Sequence, residues 1–386
     1  MDLTYTPTQD AFRAEARAWL EANVPGEPLP SFDTREGFEA HRAWERRLHA
    51  DGWAVVSWPV EFGGRDATLT DWLIFEEEYW AAGAPGRVGQ NGLFLLGPTL
   101  MEHGTPEQKQ RFLPRMASAD DIWCQGWSEP DVGSDLASIG ARAERRGDTW
   151  VLNGQKTWCS RGAFADWMFG LFRSEPGSER HRGLTMIAVP MDAPGMTVRP
   201  IAQLDGETGF AEVFCGDVEV PVEENTLGGI GEGWRVAMST AGFERGLLLR
   251  SPGRFSATAA RLIDLWKRVG HLAPATLRDR VADRWIDAEA YKLATQWTVT
   301  RLEDGGTIGA ESSLNKLFWS EMDVRMHRAA MDLLGTAGEL TSTAPDALDD
   351  GRWLDGFLFS LAGPIYAGTN EIQRSIVAER VLGLPR

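Results

Sequence analysis

Apolar residues recur every three or four positions in the first third of the chain. In AFRAEARAWLEAN the period puts Phe12, Ala16, Trp19 and Leu20 on one face of a helix. The same period runs through GFEAHRAWERRLHADG, LTDWLIFEEEYWAAG and TPEQKQRFLPRMAS, the last with Thr105 as N-cap and Pro106 at the first helical position. Around Ile122 the pattern shortens to apolar or alternating runs bounded by turn residues, TWVLNGQKTWCS, DWMFGLFRS, GLTMIAVPMD and AEVFCGDVEVPV, which predict strands. Between apolar flanks, Asn153-Gly154 predicts a hairpin turn. Helical periods return from Trp234, interrupted by EDGGTIGAES and GTAGELTSTAPDALDDG, and a long amphipathic helix is expected from Thr369. The fold class is therefore α+β: an N-terminal helical domain over 1–121, a middle β domain (barrel or sandwich) over 122–232 and a C-terminal helical bundle over 233–386.

Composition narrows the function. A chain of 386 residues can bury a sizeable core, and its net charge of -17 should repel nucleic acid and anionic membrane. Three cysteines, Cys124, Cys159 and Cys215, show neither CxxC pairing nor metal-ligand spacing and read as reduced thiols. No secretory pattern opens the chain and no apolar run is long enough for a membrane span, so a cytoplasmic protein is expected. The six histidines form no HExxH pair, no GxSxG elbow occurs, and no metal is expected. GGIGEGW is the one tempting glycine-rich loop, but strands and helices do not alternate around it as a dinucleotide fold requires. It reads better as a domain-joining turn.

What remains is a set of small-residue loops. CQGWSEPDVGSDLAS gathers hydroxyls, a Gly-Ser pair and Trp127 at the mouth of the β domain, where backbone amides can approach a planar or anionic ligand. In GQKTWCSRGAFADW, Trp158 and Ser160 stand two apart, so on a strand both project from one face, an indole for stacking and a hydroxyl for a ring nitrogen. Core packing is the alternative for any one of seventeen tryptophans. Thr369, Asn370 and Glu371 open the last helix, where free amides either attract phosphate or are simply capped.

Taken in order, WPVEFGG, GPTLMEHGTPEQKQRFLPRM, WSEPDVGSD, LNGQKTW, EVFCGDVEVPVEENTLGGIGEGW and YAGTNEIQR resemble the acyl-CoA dehydrogenases across nearly the whole chain. The resemblance implies a C-terminal domain of four helices, FAD as cofactor, and an acyl-CoA thioester that loses one hydrogen from each of its α and β carbons, the latter as hydride to flavin N5. By motif, Gln125, Gly126, Trp127, Ser128, Gly133 and Ser134 would line the flavin and its pyrophosphate. Trp158, Cys159 and Ser160 would cover the ring, and Thr369, Asn370 and Glu371 would meet the phosphate and ribose. Ser134 and Gly368 would lie near the acyl-CoA.

The resemblance also sharpens one departure. Many members carry the catalytic glutamate directly after the motif tyrosine, where this chain has Ala367. Its backbone amide can still polarise the thioester carbonyl, but a methyl group accepts no proton. A second subgroup, which includes isovaleryl-CoA and some steroid-CoA enzymes, carries its glutamate early in the C-terminal domain just before an arginine, and AGFERGLLL puts Glu244 before Arg245 there. Glu244 is the expected base, with Phe243 and Leu247 to Leu249 as apolar neighbours that would lift its pKa and Phe243, Arg245 and Ala367 beside the substrate. The small Ala367 suits a branched, medium-chain or steroid acyl group. An Arg-x-x-Phe-Gly element is absent, and Asp332 stands where many members have a Gln, which implies altered cofactor contacts across subunits. Expected partners are an electron-transferring flavoprotein and either further copies, in a homodimer or homotetramer, or a paralogous subunit in an α2β2 heterotetramer. The alternatives are a non-catalytic half-site subunit and an oxygen-using acyl-CoA oxidase or monooxygenase.

Overall fold

Four threonines set helix starts in the first part of the chain. The computed structural model describes residues 4–245 and 250–385, without the side chains of Glu244, Arg245 and Leu272. Thr6, Thr68 and Thr105 each accept a hydrogen bond from the N–H three residues on, and Gln9, Asp71 and Gln108 return one. These reciprocal caps open α1 (Pro7–Asn23), α3 (Leu69–Ala81) and α5 (Pro106–Ala117), while Thr34 caps α2 (Arg35–Ala50) without the return bond. Proline at the first turn of α1 and α5 gives up an N–H that had no helical partner anyway.

The chain divides into two compact units. One is built from Pro25–Ala67 and Pro85–Glu244. It contains α2, α4 (Gly97–His103), α5, and the strands β1 (Trp123–Gly126), β2 (Arg142–Arg146), β3 (Thr149–Ser160), β4 (Trp167–Arg173), β5 (Leu184–Pro190), β6 (Met196–Ile201) and β7 (Phe210–Pro221). The short α6 (Val222–Asn225) and β8 (Thr226–Leu227) follow, then α7 (Gly233–Arg245). The sheet order is β6-β7-β3-β2-β4-β5-β8, with β1 parallel to β4. Its core gathers Trp150, Leu152, Met168, Phe172, Val189, Val213 and all three cysteines. The cysteines are free, as expected, and burial pushes the Cys159 and Cys215 thiols up to about 12 and about 11.

One turn expectation fails. Asn153-Gly154 lies inside β3, and the β2–β3 hairpin turns at Gly147-Asp148 instead. β3 pairs with β2 on one side and β7 on the other, so its ladder overrides the local turn preference. The dipeptide forms a register shift between Leu152 and Gly154, where Gly154 has φ 144 and an added Cβ would meet Ala141 at 2.5 Å. Asn153 locks that shift by donating to Asp217 Oδ1 (2.9 Å) and accepting from the Asp217 N–H (3.0 Å).

The second unit is built from Met1–Val24, Thr68–Ala84 and Arg245–Arg386. Here α1 and α3 accompany α8 (Pro252–Val269), α9 (Ala275–Glu303), α10 (Ser312–Leu334), α11 (Arg352–Ser360) and α12 (Asn370–Ile376). One apolar cluster joins Leu262 and Leu265 of α8 to Leu277 and Val281 of α9, Leu333 of α10 and Trp353 of α11. A second joins Phe255, Tyr291, Trp319 and Met326, with Tyr366 against it. Glu78 of α3 receives Arg13 and Arg17 of α1 at 3.0 and 2.8 Å. The last helix is shorter than the sequence pattern predicts. After seven residues of α12 the spiral widens to a π turn over Val377–Val381, closed by the Leu382 N–H on Val377 O (3.0 Å), and Gly383 at φ 68 ends it.

Candidate active site

β1 runs straight into the small-residue loop, and Glu129 closes that loop on itself. Glu129 and Val132 exchange backbone hydrogen bonds, making a tight turn at Pro130-Asp131. Its carboxylate then accepts the N–H of Gly140 (2.7 Å) and of Ala141 (2.9 Å), so residues 129–141 form a closed surface loop. Lys156 of β3, fully buried, donates to Glu129 Oε1 (2.8 Å), Leu171 O (2.6 Å) and Trp127 O (3.3 Å). All three ammonium donors are used. Burial pulls the Lys156 pKa down, and the charge of Glu129 pulls back against it. One residue on, the Thr157 N–H donates to Ser128 O (2.9 Å). The segments 125–128 and 158–160, far apart in sequence, are thus tied together.

Individual residues sort clearly. Trp127 is buried, edge-on to Phe169, and its Nε1 finds no partner among the described residues. Gly133 and Ser134 are exposed, and nothing lies within 4 Å of where a Gly133 Cβ would stand. Gln125 and Ser128 are half-buried and Gly126 is buried under Met168. Trp158 is 60 % exposed at φ 57, beside Phe210. That left-handed residue sits in a second register shift, between Lys156 and Cys159, so plain strand alternation does not govern Trp158 and Ser160. The Cys159 side chain lies in the sheet core, which leaves only its backbone for a ligand.

α7 carries Phe243, half-buried, Glu244 and Arg245 on its last turn. The side chains of Glu244 and Arg245 and all of residues 246–249, including Leu247 to Leu249, lie outside the described residues. Within its own unit α7 is fixed by Thr240 Oγ1 against Thr99 Oγ1 (2.9 Å) and by Ser239 donating to Glu102 (2.7 Å).

In the helical unit, Ala367 has φ 57 and Gly368 φ 77, a left-handed turn just before Thr369 caps α12 by accepting the Ile372 N–H. On one side Tyr366 accepts from Arg250 Nη2 (3.0 Å), and its ring stacks on Trp319. Gln373, fully buried, donates from Nε2 to Ala367 O (3.1 Å) and Gly368 O (3.2 Å). Asn370 is buried; its Oδ1 accepts from Lys316 (2.7 Å) and Ser320 (3.1 Å) of α10, and its N–H reaches Pro364 O (2.8 Å). Glu371 is exposed. Asp332, at the position where a Gln was expected, pairs with Arg280 of α9.

Sequence reasoning missed Lys156, Glu129, Arg250 and Gln373. Lys156 and Glu129 stand within the quoted motifs, and a lone Lys amid a strand pattern was the available signal. Gln373 also stands within a quoted motif, YAGTNEIQR, one turn after the capping threonine.

Comparison with known proteins agrees with this architecture. The profiles for the N-terminal, middle and C-terminal domains of acyl-CoA dehydrogenase match residues 6–120, 124–218 and 231–382. The chain belongs to the acyl-CoA dehydrogenase family, flavoprotein oxidoreductases that dehydrogenate the CH–CH bond of an acyl-CoA. It is 42 % identical to acyl-CoA dehydrogenase IpdE1 of Mycobacterium tuberculosis (strain ATCC 25618 / H37Rv) over 98 % of either chain. Among solved structures, the Tcur3481-Tcur3483 steroid ACAD matches with TM-score 0.85 and 30 % identity over 100 % of both chains. The ChsE4-ChsE5 complex from Mycobacterium tuberculosis matches with TM-score 0.84 and 32 % identity over the same shares. Among the described residues no helix is long and apolar enough to cross a membrane, and no cluster of His, Cys, Asp or Glu could hold a metal.

Proposed function

We propose that this chain oxidises a bulky acyl-CoA, of steroid side-chain or branched type, with Glu244 as the base. The observation that carries the reading is Ala367, a methyl-bearing residue held at φ 57 in the turn after Tyr366, which supplies no side-chain base there and whose small side chain would leave room beside a thioester. The likeness over the full chain to a structure described as a steroid ACAD supports the steroid class.

FAD fits the residues present: an orphaned indole N–H at Trp127, open space over Gly133, and an exposed indole at Trp158 held in a rare backbone conformation. Bound there, it would supply the acceptor for the β hydride. Gln125 to Ser128, Gly133, Ser134 and the backbone of Cys159 with Trp158 and Ser160 would hold it. The chain's own contribution is then twofold. Glu244 removes the α proton, and the Ala367 N–H stabilises the charge that develops on the thioester oxygen. Among the described residues that N–H donates to no protein acceptor.

Assembly is part of the proposal. Trp285, Ile286, Leu293 and Trp297 are exposed along α9, which supports a further subunit on that face. The two-component names of both matched complexes favour a paralogous partner, and the acceptor in this reading is an electron-transferring flavoprotein. The deciding experiment is anaerobic mixing of the FAD-loaded protein, alone and with candidate partner subunits, with straight, branched and steroid acyl-CoAs. Loss of the oxidised flavin band with the bulky thioesters supports the reading; reduction by straight-chain thioesters alone overturns it.

A further inference from the structure

Left-handed backbone at an alanine has to be held. Placing a Cβ at φ 57 costs on the order of 1 kcal/mol relative to the right-handed regions, and the cost persists only where neighbours over-determine the conformation. Around Ala367 the neighbours are specific. Asn370 N–H on Pro364 O closes the loop, Arg250 fixes the Tyr366 hydroxyl, and α12 begins at Asn370. These contacts leave the 367–368 and 368–369 peptide planes to be fixed by something else. Gln373 does it, because its two amide hydrogens go to the carbonyls of those two planes at 3.1 and 3.2 Å.

Packing does not explain that choice of side chain. Gln373 is fully buried, and its Oε1 has no partner among the described residues. An unpaired buried acceptor costs roughly 1–3 kcal/mol, a penalty that a methionine of similar volume would avoid. The amide therefore matters for what its nitrogen holds. With Tyr366 anchored on one side and both following carbonyls on the other, the φ and ψ of Ala367 have no slack, and the direction of its N–H is set.

We propose that Gln373 is a positioning residue: its side-chain amide clamps the Ala367 and Gly368 carbonyls so that the Ala367 N–H is aimed at the thioester carbonyl of the acyl-CoA. The inference rests on the proposed role of that N–H. Gln373 touches neither substrate nor flavin in this role and acts only through the turn.

The test uses the FAD-loaded protein with a thioester that bleaches wild type. In Gln373→Met, kcat should fall by about 10²-fold, the loss expected for one misplaced oxyanion donor, with KM within about threefold and flavin content unchanged. Washout of deuterium from the substrate α carbon should slow by the same factor, since a less polarised carbonyl leaves the α proton less acidic. Gln373→Glu supplies the readout that a packing role would not move. Its carboxyl donates a hydrogen bond only when protonated and repels the two carbonyls when ionised, so its kcat relative to wild type should recover as pH falls. Wild-type kcat and washout in Gln373→Met, or a flat pH ratio in Gln373→Glu, overturns the inference. If no thioester bleaches wild type, the acyl-CoA reading fails instead, and that result is distinct from either variant's behaviour.

Discussion

Lys156 and Glu129 meet at 2.8 Å beneath the loop that follows β1, the lysine fully buried and the carboxylate nearly so. Through this one pair β3 holds both the base of the loop 129–141 and the carbonyl of Trp127. Removing the cation alone strands a carboxylate, and such losses cost about 3 kcal/mol. Lys156→Met should therefore lower the thermal midpoint and weaken flavin retention together, read by thermal unfolding and by the ratio of flavin to protein absorbance. Unchanged flavin affinity would separate the pair from the cofactor loops.

Glu244→Gln keeps the shape of the side chain and removes its basicity. Turnover should fall by roughly 10³-fold while FAD stays bound, as expected when a general base is lost. Stopped-flow bleaching of the flavin checks it, and a variant that bleaches at the wild-type rate would move the base elsewhere.

In the helical unit Asp323 of α10 lies 3.1 Å from Arg254 of α8 and 3.2 Å from His327. Burial by itself would raise its pKa, but Arg254 and His327 overcome that and hold the carboxyl at about 2. Because the folded value lies below the unfolded one, 3.8, the contribution is present above pH ~4 and lost as pH falls towards about 2. It amounts to about 2 kcal/mol at neutral pH. Asp323→Asn should flatten the pH dependence of urea stability in that window; an unaltered slope would show that other carboxylates dominate acid unfolding.

Cys124, Cys159 and Cys215 are buried and their thiols are pushed up, Cys159 to about 12. Native protein at pH 8 should resist alkylation, and all three cysteines should react once it is unfolded. Mass spectrometry after a short iodoacetamide pulse reads both states.

Local signals were legible in the sequence where local chemistry decides. Thr105 with Pro106 starts α5, and TWVLNGQKTWCS spans β3 from end to end. Asn153-Gly154 misled because a turn preference is weaker than two neighbouring strands. The left-handed turn at Ala367 was invisible, since alanine, unlike glycine, carries no sign of positive φ. Lys156 and Glu129 are 27 residues apart with no period linking them, so only the folded sheet brings them together. Motif resemblance pointed to Trp127 and Trp158; periodicity could not have told either from a core residue.

The helical unit draws on three separated stretches, Met1–Val24, Thr68–Ala84 and Arg245–Arg386, while the other unit is finished by Glu244. On the ribosome this imposes an order of events. The sheet can close while α3, on which α1 packs, still lacks α8, its partner being not yet synthesised. Until then α3 must wait, tethered to a finished neighbour, with the apolar residues that α8 will cover open to whatever binds nascent chains.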